Sequence, residues 1–193
     1  MLKDKLKNYK IILASGSPRR QQFFKDLDLN FEIRLKEIDE IYPENLQAEN
    51  ITNYLAELKS AAFDGEITEN EILITSDTLV WLNGKALGKP KDYNDAFDIL
   101  KSISSATHEV FTSVCFATKF SKNTIFDSTK VTFKELSDFE IHYYLENYKP
   151  FDKAGAYGIQ EWIGLIGITR IDGSYSNVVG LPTEKVYDFL NNL

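Results

Sequence analysis

Apolar residues recur along the chain with two different spacings, and together these predict alternating strands and helices. Continuous or alternating apolar runs at residues 11–13, 31–35 and 72–74 are typical of strands. Apolar residues three and four positions apart predict one helix that begins near Pro18 and another over residues 51–62. The first third of the chain therefore favours an α/β fold.

The same alternation continues through the rest of the chain. Asn83-Gly84 is typical of a two-residue hairpin turn. Ser137 and Glu140 form a capping-box pattern at the start of a helix that Pro150 ends. The remaining predicted elements are a helix over residues 96–103 capped by Asp92, a long hairpin over residues 108–118 and 124–133, a buried strand over residues 163–171, and a last helix opened by Pro182.

Residues 11–20 predict a strand, a tight loop and a helix start. Pro18 suits the first helical position, and Ser17 is expected to cap the helix with its hydroxyl. Arg19 and Arg20 then lie in the first turn, where the helix dipole disfavours a cation. A bound phosphate would compensate, because free backbone N–H groups and two guanidinium groups all favour an anion. A solvated basic turn explains the segment, taken alone, equally well.

Two places in this pattern have acidic residues that are candidates for binding or catalysis. Glu37, Asp39 and Glu40 follow the second predicted strand, where they form either a solvated loop or a site for a divalent cation. Asp77 is expected at the carboxyl end of the strand at residues 72–74. Ligand crevices of open α/β sheets lie outside such strand ends, so a functional carboxylate is favoured over a turn residue.

Cations and glycines supply further candidates. Lys59 flanks the apolar stripe of its helix, which is typical of a surface lysine. Lys89 stands between Gly88 and Pro90 on a stiff backbone. Six of the ten glycines fall between Gly155 and Gly180, and Lys153 and Gln160 bracket the first of these loops. Such glycines allow either close backbone approach to a ligand or simple tight turns.

Composition narrows the classes of function. A net charge of −7 argues against sequence-independent DNA or RNA binding, which needs a broad basic face. No apolar segment is long enough for a membrane span, and the charged start lacks a signal-peptide pattern, so we expect a cytoplasmic protein with no membrane partner. The lone Cys115 reads as a buried thiol, and His108 has no neighbouring ligand for zinc. The length favours one domain over residues 1–193.

Five segments together resemble the Maf family of nucleotide pyrophosphatases, in that family's order and spacing. They are residues 13–20, 76–78, 88–90, 152–160 and 177–182. The resemblance implies an α/β fold with an elongated mixed β-sheet flanked by helices and two lobes around a central cleft, similar to inosine triphosphate pyrophosphatases. It also implies hydrolysis of nucleoside triphosphates to the monophosphate and pyrophosphate with a divalent metal cation, Mg²⁺ or Mn²⁺.

The resemblance assigns roles residue by residue. Asp77 matches the catalytic carboxylate, and Glu40 and Asp77 match the metal-binding acids. The residues that match the family's phosphate-binding groups are Ser15, Arg20, Lys59, Lys89 and Lys153. Arg19, Thr78 and Gln160 match the branch that acts on dTTP and UTP. The sister branch, which prefers 7-methyl-GTP, typically has tryptophan and glutamate in place of Arg19 and Gln160.

Alternatives remain at this stage. The chain resembles the family less closely at Ser104-Ser105-Ala106 and at Glu161-Trp162, and the second departure bears on the shape of the base pocket. The rival functions are a 7-methyl-GTP pyrophosphatase and a non-catalytic nucleotide-binding regulator of septum formation, with which the family has been associated. A homodimer is left open as the assembly.

Overall fold

The structure is a computed structural model that describes residues 2–193, and these residues form a mixed α/β fold, which confirms the predicted fold class. Its α-helices are α1 (Leu2–Lys5), α2 (Pro18–Asp26), α3 (Glu49–Ala61), α4 (Tyr93–Ile103), α5 (Asp138–Tyr148), α6 (Trp162–Gly167), α7 (Tyr175–Val179) and α8 (Thr183–Asn191). Its strands are β1 (Lys10–Leu13), β2 (Phe31–Ile33), β3 (Glu71–Leu82), β4 (Lys85–Leu87), β5 (Thr107–Ala117), β6 (Lys122–Phe133) and β7 (Ile168–Asp172).

Within residues 2–193 these seven strands form one mixed sheet. The strand order is β2-β1-β3-β5-β6-β7, and β4 pairs with β3. Strand β1 is parallel to both β2 and β3, whereas β3 and β4, and also β6 and β7, are antiparallel. The tight turn between β3 and β4 has positive φ at both Asn83 (51°) and Gly84 (79°), as a two-residue hairpin requires.

The chain divides into two compact units. Unit 1 comprises the chain up to Asp77, Thr112–Asp127 and Gly180–Leu193. Unit 2 comprises Thr78–Phe111 and Ser128–Val179. Strands β3, β5 and β6 therefore contribute residues to both units.

Unit 1 is built around buried parallel strands. Ile11 and Leu13 of β1 pack in one apolar cluster and Ile12 in another, so both faces of this strand are covered. Strand β3 repeats the pattern, with Ile72 and Ile74 in the first cluster and Leu73 in the second. Burial on both faces explains why these strands appear in the sequence as continuous apolar runs.

Unit 2 has its own core, in which α4 and α5 supply Ala96, Leu100 and Tyr144. The predicted caps of these two helices are confirmed. The side chain of Asp92 accepts a hydrogen bond from the backbone N–H of Asp95 at 2.9 Å, and Ser137 and Glu140 form a complete capping box. Cys115, in unit 1, is buried as expected.

Two predicted strands differ from the structure. Residues 163–171 were expected to form one strand, but residues 162–167 are helix α6 and only residues 168–172 are a strand. A short apolar run without alternation fits a buried helix as well as a strand, and Ile163 and Gly167 are buried at helical spacing. The alternation at residues 31–35 predicts a strand whose apolar side chains are buried on one face. Strand β2 instead ends at Ile33, and both Ile33 and Leu35 are exposed, so that prediction is wrong there.

No helix within residues 2–193 is long and apolar enough to cross a membrane.

Candidate active site

Two carboxylates of unit 1 meet at one ammonium group. Lys59 Nζ, from the last turn of α3, lies 2.6 Å from Asp77 Oδ1 and 2.9 Å from Glu40 Oε1. The side chains of Lys59 and Asp77 are 16% and 11% exposed, whereas that of Glu40 is 42% exposed. One ammonium group thus contacts two carboxylates.

Asp77 does not lie at the end of its own strand, as the sequence led us to expect, because β3 continues to Leu82. The neighbouring strand β1, however, ends at Leu13, which pairs with Ile74. The backbone N–H of Ala14 still donates to the Ile74 carbonyl at 2.9 Å, and the chain then leaves the sheet through residues 15–17. The strand end next to which Asp77 lies is therefore that of its parallel neighbour.

Arg20 ties three segments of unit 1 together. Its Nε donates to the Gly180 carbonyl at 2.8 Å, and one terminal nitrogen donates to the Ser76 carbonyl at 3.0 Å and to Ser15 Oγ at 3.4 Å. Burial lowers the pKa of Arg20, and the Asp77 carboxylate partly offsets this effect. The arginine thus lies beside Asp77 and holds the peptide that precedes it.

The start of α2 confirms one prediction and overturns another. Helix α2 begins at Pro18 as expected, but the Ser17 hydroxyl makes no capping hydrogen bond. The Ser17 backbone N–H instead donates to Ser15 Oγ at 3.3 Å, which bends the loop before the helix. The first turn contains Arg19 and Arg20 and no acidic residue, a combination that suits an anionic ligand.

The carboxylates of Glu40 and Asp77 could together supply oxygen ligands to a divalent cation. Glu40 and Asp77 already direct one oxygen each at the same cationic nitrogen. Mg²⁺ is commonly held by one or two carboxylates together with substrate phosphates rather than by a complete protein cage. Among residues 2–193, no group of three or more His, Cys, Asp or Glu residues that could hold a metal ion occurs.

In unit 2, the loops that carry Lys89 and Lys153 are joined. The backbone N–H of Gly155 donates to the Gly88 carbonyl at 3.1 Å. Gly155 has φ of +70°, and a Cβ at this position would lie 2.7 Å from Val80 Cγ2. Only glycine therefore allows this approach. Lys89 is exposed, whereas the Lys153 side chain is only 10% exposed.

The three predicted specificity residues lie in different surroundings. Arg19 is half-buried in the first turn of α2, and Thr78 is half-buried directly after Asp77 in β3. Gln160 is exposed at the end of the glycine-rich loop. The structure brings Ser15, Arg20, Lys59, Glu40 and Asp77 together within unit 1, while Lys89 and Lys153 lie in two joined loops of unit 2.

The histidines are not ligands within this site. His108 is 1% exposed, and its Nε2 lies 2.8 Å from the Tyr157 hydroxyl. Burial lowers the pKa of His108 to about 4, so the ring is neutral near pH 7. His142 is exposed and stacks against Tyr93 and Phe97.

The sequence contains no indication of two kinds of contact near the site: backbone carbonyls that bind Arg20, and a hydrogen bond between the side chains of Tyr144 and Glu161. The Ser76 and Gly180 carbonyls, which position Arg20, have no side-chain signal. The helical spacing of Ile141, Tyr144, Leu145 and Tyr148 predicts only an apolar stripe, yet the Tyr144 hydroxyl donates to Glu161. A tyrosine in an apolar stripe is usually core, so the pattern contained no sign of this contact.

Comparison with known proteins extends these observations. The family model described as "Maf-like protein" matches residues 10–193. A protein of Flavobacterium johnsoniae named dTTP/UTP pyrophosphatase is 67% identical over 193 residues, covering 100% of both chains. One of the same name from Flavobacterium psychrophilum is 69% identical over 192 residues, covering 100% of this chain and 98% of its own.

A solved structure supports the fold alone. A HAM1 protein from Coxiella burnetii has a TM-score of 0.55 at 11% sequence identity, covering 96% of this chain and 100% of its own.

Proposed function

Because the chain belongs to the Maf-like protein family, we propose that it hydrolyses dTTP and UTP to the nucleoside monophosphate and pyrophosphate. The observation that carries this proposal is full-length identity of 67% and 69% to proteins named dTTP/UTP pyrophosphatase. The cluster of Asp77, Lys59, Glu40 and Arg20 in unit 1 supplies groups suited to that chemistry.

The reaction forms a bond from a water oxygen to the α-phosphorus. The bond from that phosphorus to the oxygen bridging to the β-phosphorus breaks, and pyrophosphate leaves with the electron pair. Negative charge must be neutralised on three phosphates at once, which is the role of fixed cations in phosphoryl transfer. Arg20 and Lys59 in unit 1, and Lys89 and Lys153 in unit 2, are the cations we assign to this task, with the Ser15 hydroxyl as a further donor.

Asp77 is the catalytic carboxylate in this proposal. As an ionised group it either accepts the proton of the attacking water or holds the cation that activates the water. Glu40 and Asp77 together would hold Mg²⁺ or Mn²⁺, which when bound supplies charge neutralisation at the phosphates. With a cation held by the two carboxylate oxygens that now contact Lys59, the ammonium of Lys59 would be available for a phosphate oxygen.

Base selection is assigned to Arg19, Thr78 and Gln160. Thymine and uracil each present two carbonyl acceptors and one N3–H donor. The Gln160 amide offers both a donor and an acceptor, and the Thr78 hydroxyl can act as either. A cationic 7-methylguanine would instead favour an aromatic face and a carboxylate. The polar groups at these three positions therefore support a pyrimidine substrate.

Hydrolysis of UTP in ¹⁸O-labelled water tests the proposed bond cleavage. We expect one ¹⁸O atom in the UMP and none in the pyrophosphate, measured by mass spectrometry. The Asp77→Asn variant serves as the control for background hydrolysis. Label in pyrophosphate, or release of inorganic phosphate as the first product, would contradict attack at the α-phosphorus.

A further inference from the structure

Lys153 is the most enclosed of the lysines assigned to phosphate binding, and two carboxylates hold its ammonium group. Its Nζ lies 2.8 Å from Asp152 Oδ1 and 3.2 Å from Glu161 Oε1. The Asp152 side chain is 66% exposed and belongs to the adjacent residue, so it restrains the ammonium weakly. The Glu161 side chain is only 21% exposed, and it approaches Lys153 from the far end of the loop.

Glu161 is itself held in place. The Tyr144 hydroxyl donates to Glu161 Oε2, the oxygen that Lys153 does not contact. The same hydroxyl accepts a hydrogen bond from the Gly158 backbone N–H at 3.0 Å. Tyr144 is fully buried in α5, and burial raises its pKa far above its usual range, so it remains a donor at working pH. Each of these residues contacts the next through a hydrogen bond or ion pair, in the order Gly158, Tyr144, Glu161, Lys153.

The loop is shaped around this chain of contacts. A Cβ on Gly158 would lie 2.7 Å from Glu161 Cδ, so the absent side chain leaves the space that the carboxylate occupies. The backbone N–H of Glu161 donates to the Gly158 carbonyl at 3.0 Å, and that of Ala156 donates to the Lys153 carbonyl at 3.1 Å. Both ends of the network are therefore fixed by backbone contacts as well as by side chains.

We infer that Glu161, oriented by Tyr144, is a positioning residue that sets the location of the Lys153 ammonium for the substrate phosphates. This inference rests on the proposed function, in which Lys153 binds phosphate. Glu161 does not touch the nucleotide. It acts through Lys153, and Tyr144 acts through Glu161.

The inference predicts opposite effects on binding and on turnover. Glu161→Gln keeps the side-chain volume and a group that can accept from Tyr144, but it removes the charge that holds Lys153. Polyphosphate then meets one negative charge fewer, so KM should fall. The misplaced ammonium should lower kcat by about tenfold, because small errors in position are costly in catalysis. Loss of folded protein alone would leave KM unchanged and lower the active fraction.

A double-mutant cycle with Lys153 supplies the decisive test. We expect Lys153→Met to lower kcat for UTP by about 10²-fold, and Glu161→Gln to have no further effect on kcat in that background, within about twofold. Glu109→Gln is the matched control, since it removes the partner of the exposed Lys130, 3.6 Å away, elsewhere in unit 2. Equal losses from Glu161→Gln in the wild-type and Lys153→Met backgrounds would overturn the inference, as would no loss in either.

Tyr144→Phe extends the cycle along the network. Without the hydroxyl, Glu161 loses one donor, and we expect a fall in kcat that is not additive with the fall caused by Glu161→Gln. Additive losses would separate Tyr144 from Glu161 and overturn that part of the inference. All variants are compared at a temperature at which circular dichroism shows each to be folded.

An activity-independent measurement separates this inference from the proposed function. If the wild-type protein hydrolyses no nucleoside triphosphate, the proposed function fails, and the same cycle is then measured by calorimetry with inorganic tripolyphosphate. Tighter binding by Glu161→Gln in the wild-type background and not in the Lys153→Met background supports the positioning role. The same change in both backgrounds, or none in either, overturns it.

Discussion

Replacement of Lys59 by methionine should make the nucleotide-free protein bind a divalent cation more tightly. In the structure the Lys59 ammonium contacts one oxygen of Asp77 at 2.6 Å and one of Glu40 at 2.9 Å. A metal ion that uses these oxygens has to displace the ammonium. Methionine retains much of the side-chain volume of lysine and removes this competitor.

The size of the effect follows from the contact that is lost. A hydrogen bond to a charged group contributes about 1.5–3 kcal/mol to stability. Glu40 is 42% exposed, so solvent screens its share, and we count the contact with Asp77 alone. Displacement of Lys59 then costs about 2 kcal/mol, which corresponds to about 30-fold in metal affinity.

Titration with Mn²⁺ in the absence of nucleotide, followed by the electron paramagnetic resonance signal of free Mn²⁺, measures this affinity. Lys119→Met is the matched control, because Lys119 contacts only the exposed Glu69 among the ion pairs described for unit 1, and its affinity should equal that of the wild type. Lys59→Arg keeps the cation and should also remain close to the wild type. Equal or weaker Mn²⁺ binding by Lys59→Met would refute the reasoning that Lys59 and the metal share these two carboxylates.

Three further predictions concern the catalytic carboxylate, the base and the buried histidine. Asp77→Asn should lower kcat by about 10²-fold or more in protein that circular dichroism shows to be folded, because the amide keeps the volume but neither accepts a proton nor carries charge. A rate within a few-fold of wild type would assign Asp77 to structure. Arg19→Trp combined with Gln160→Glu should reduce kcat/KM for UTP relative to 7-methyl-GTP by about ten- to a hundredfold. The reason is that a polar group of the base or the pocket left unpaired and buried in the complex costs about 1–3 kcal/mol. An unchanged ratio would remove these residues from base selection. His108 has a pKa of about 4 in the folded protein, below its usual 6.5, so its contribution to stability is complete above pH 6.5 and is lost as the pH falls towards 4. Urea unfolding should therefore show a free energy of unfolding about 2 kcal/mol lower at pH 5 than at pH 7 because of this group. His108→Gln should abolish this difference, and His142→Gln should retain it. The same pH dependence in His108→Gln as in the wild type would contradict the prediction.

The positions of strands and helices could be predicted where local chemistry determines them. Asn83-Gly84, the Asp92 cap and the Ser137–Glu140 capping box each specify a backbone geometry within a few residues, and the structure confirms all three. Residues 163–171 offered no such signal. Their uniform apolarity fits a helix or a strand, and the buried positions at helical spacing became visible only in the structure.

In the candidate site, the residues could be predicted from the sequence but the contacts between them could not. The motifs pointed to Asp77, Lys59, Glu40, Arg20 and Ser15, and the structure places all of them close together in unit 1. Lys59 lies between two carboxylates because α3 packs beside β3. No spacing in the sequence specifies this packing.

Contacts between residues that are far apart in the sequence could not be predicted either. Arg20 and Gly180 are 160 residues apart, and the partner of Arg20 there is a backbone carbonyl, which leaves no trace in residue type. Tyr144 and Glu161 are 17 residues apart on different elements, and the tyrosine fits the apolar stripe of its helix. Their contact depends on where α5 packs against the loop that precedes α6.

The central claim, that this chain is a dTTP/UTP pyrophosphatase, is tested most directly by kcat/KM for dTTP, UTP, CTP and 7-methyl-GTP under one condition with Mg²⁺. Release of pyrophosphate is the readout, and Asp77→Asn is assayed in parallel. We predict that dTTP and UTP are the best substrates, by about tenfold or more over 7-methyl-GTP, and that the variant is inactive on all four. Preference for 7-methyl-GTP would contradict the base assignment, and no pyrophosphate from any of the four nucleotides would contradict the function itself.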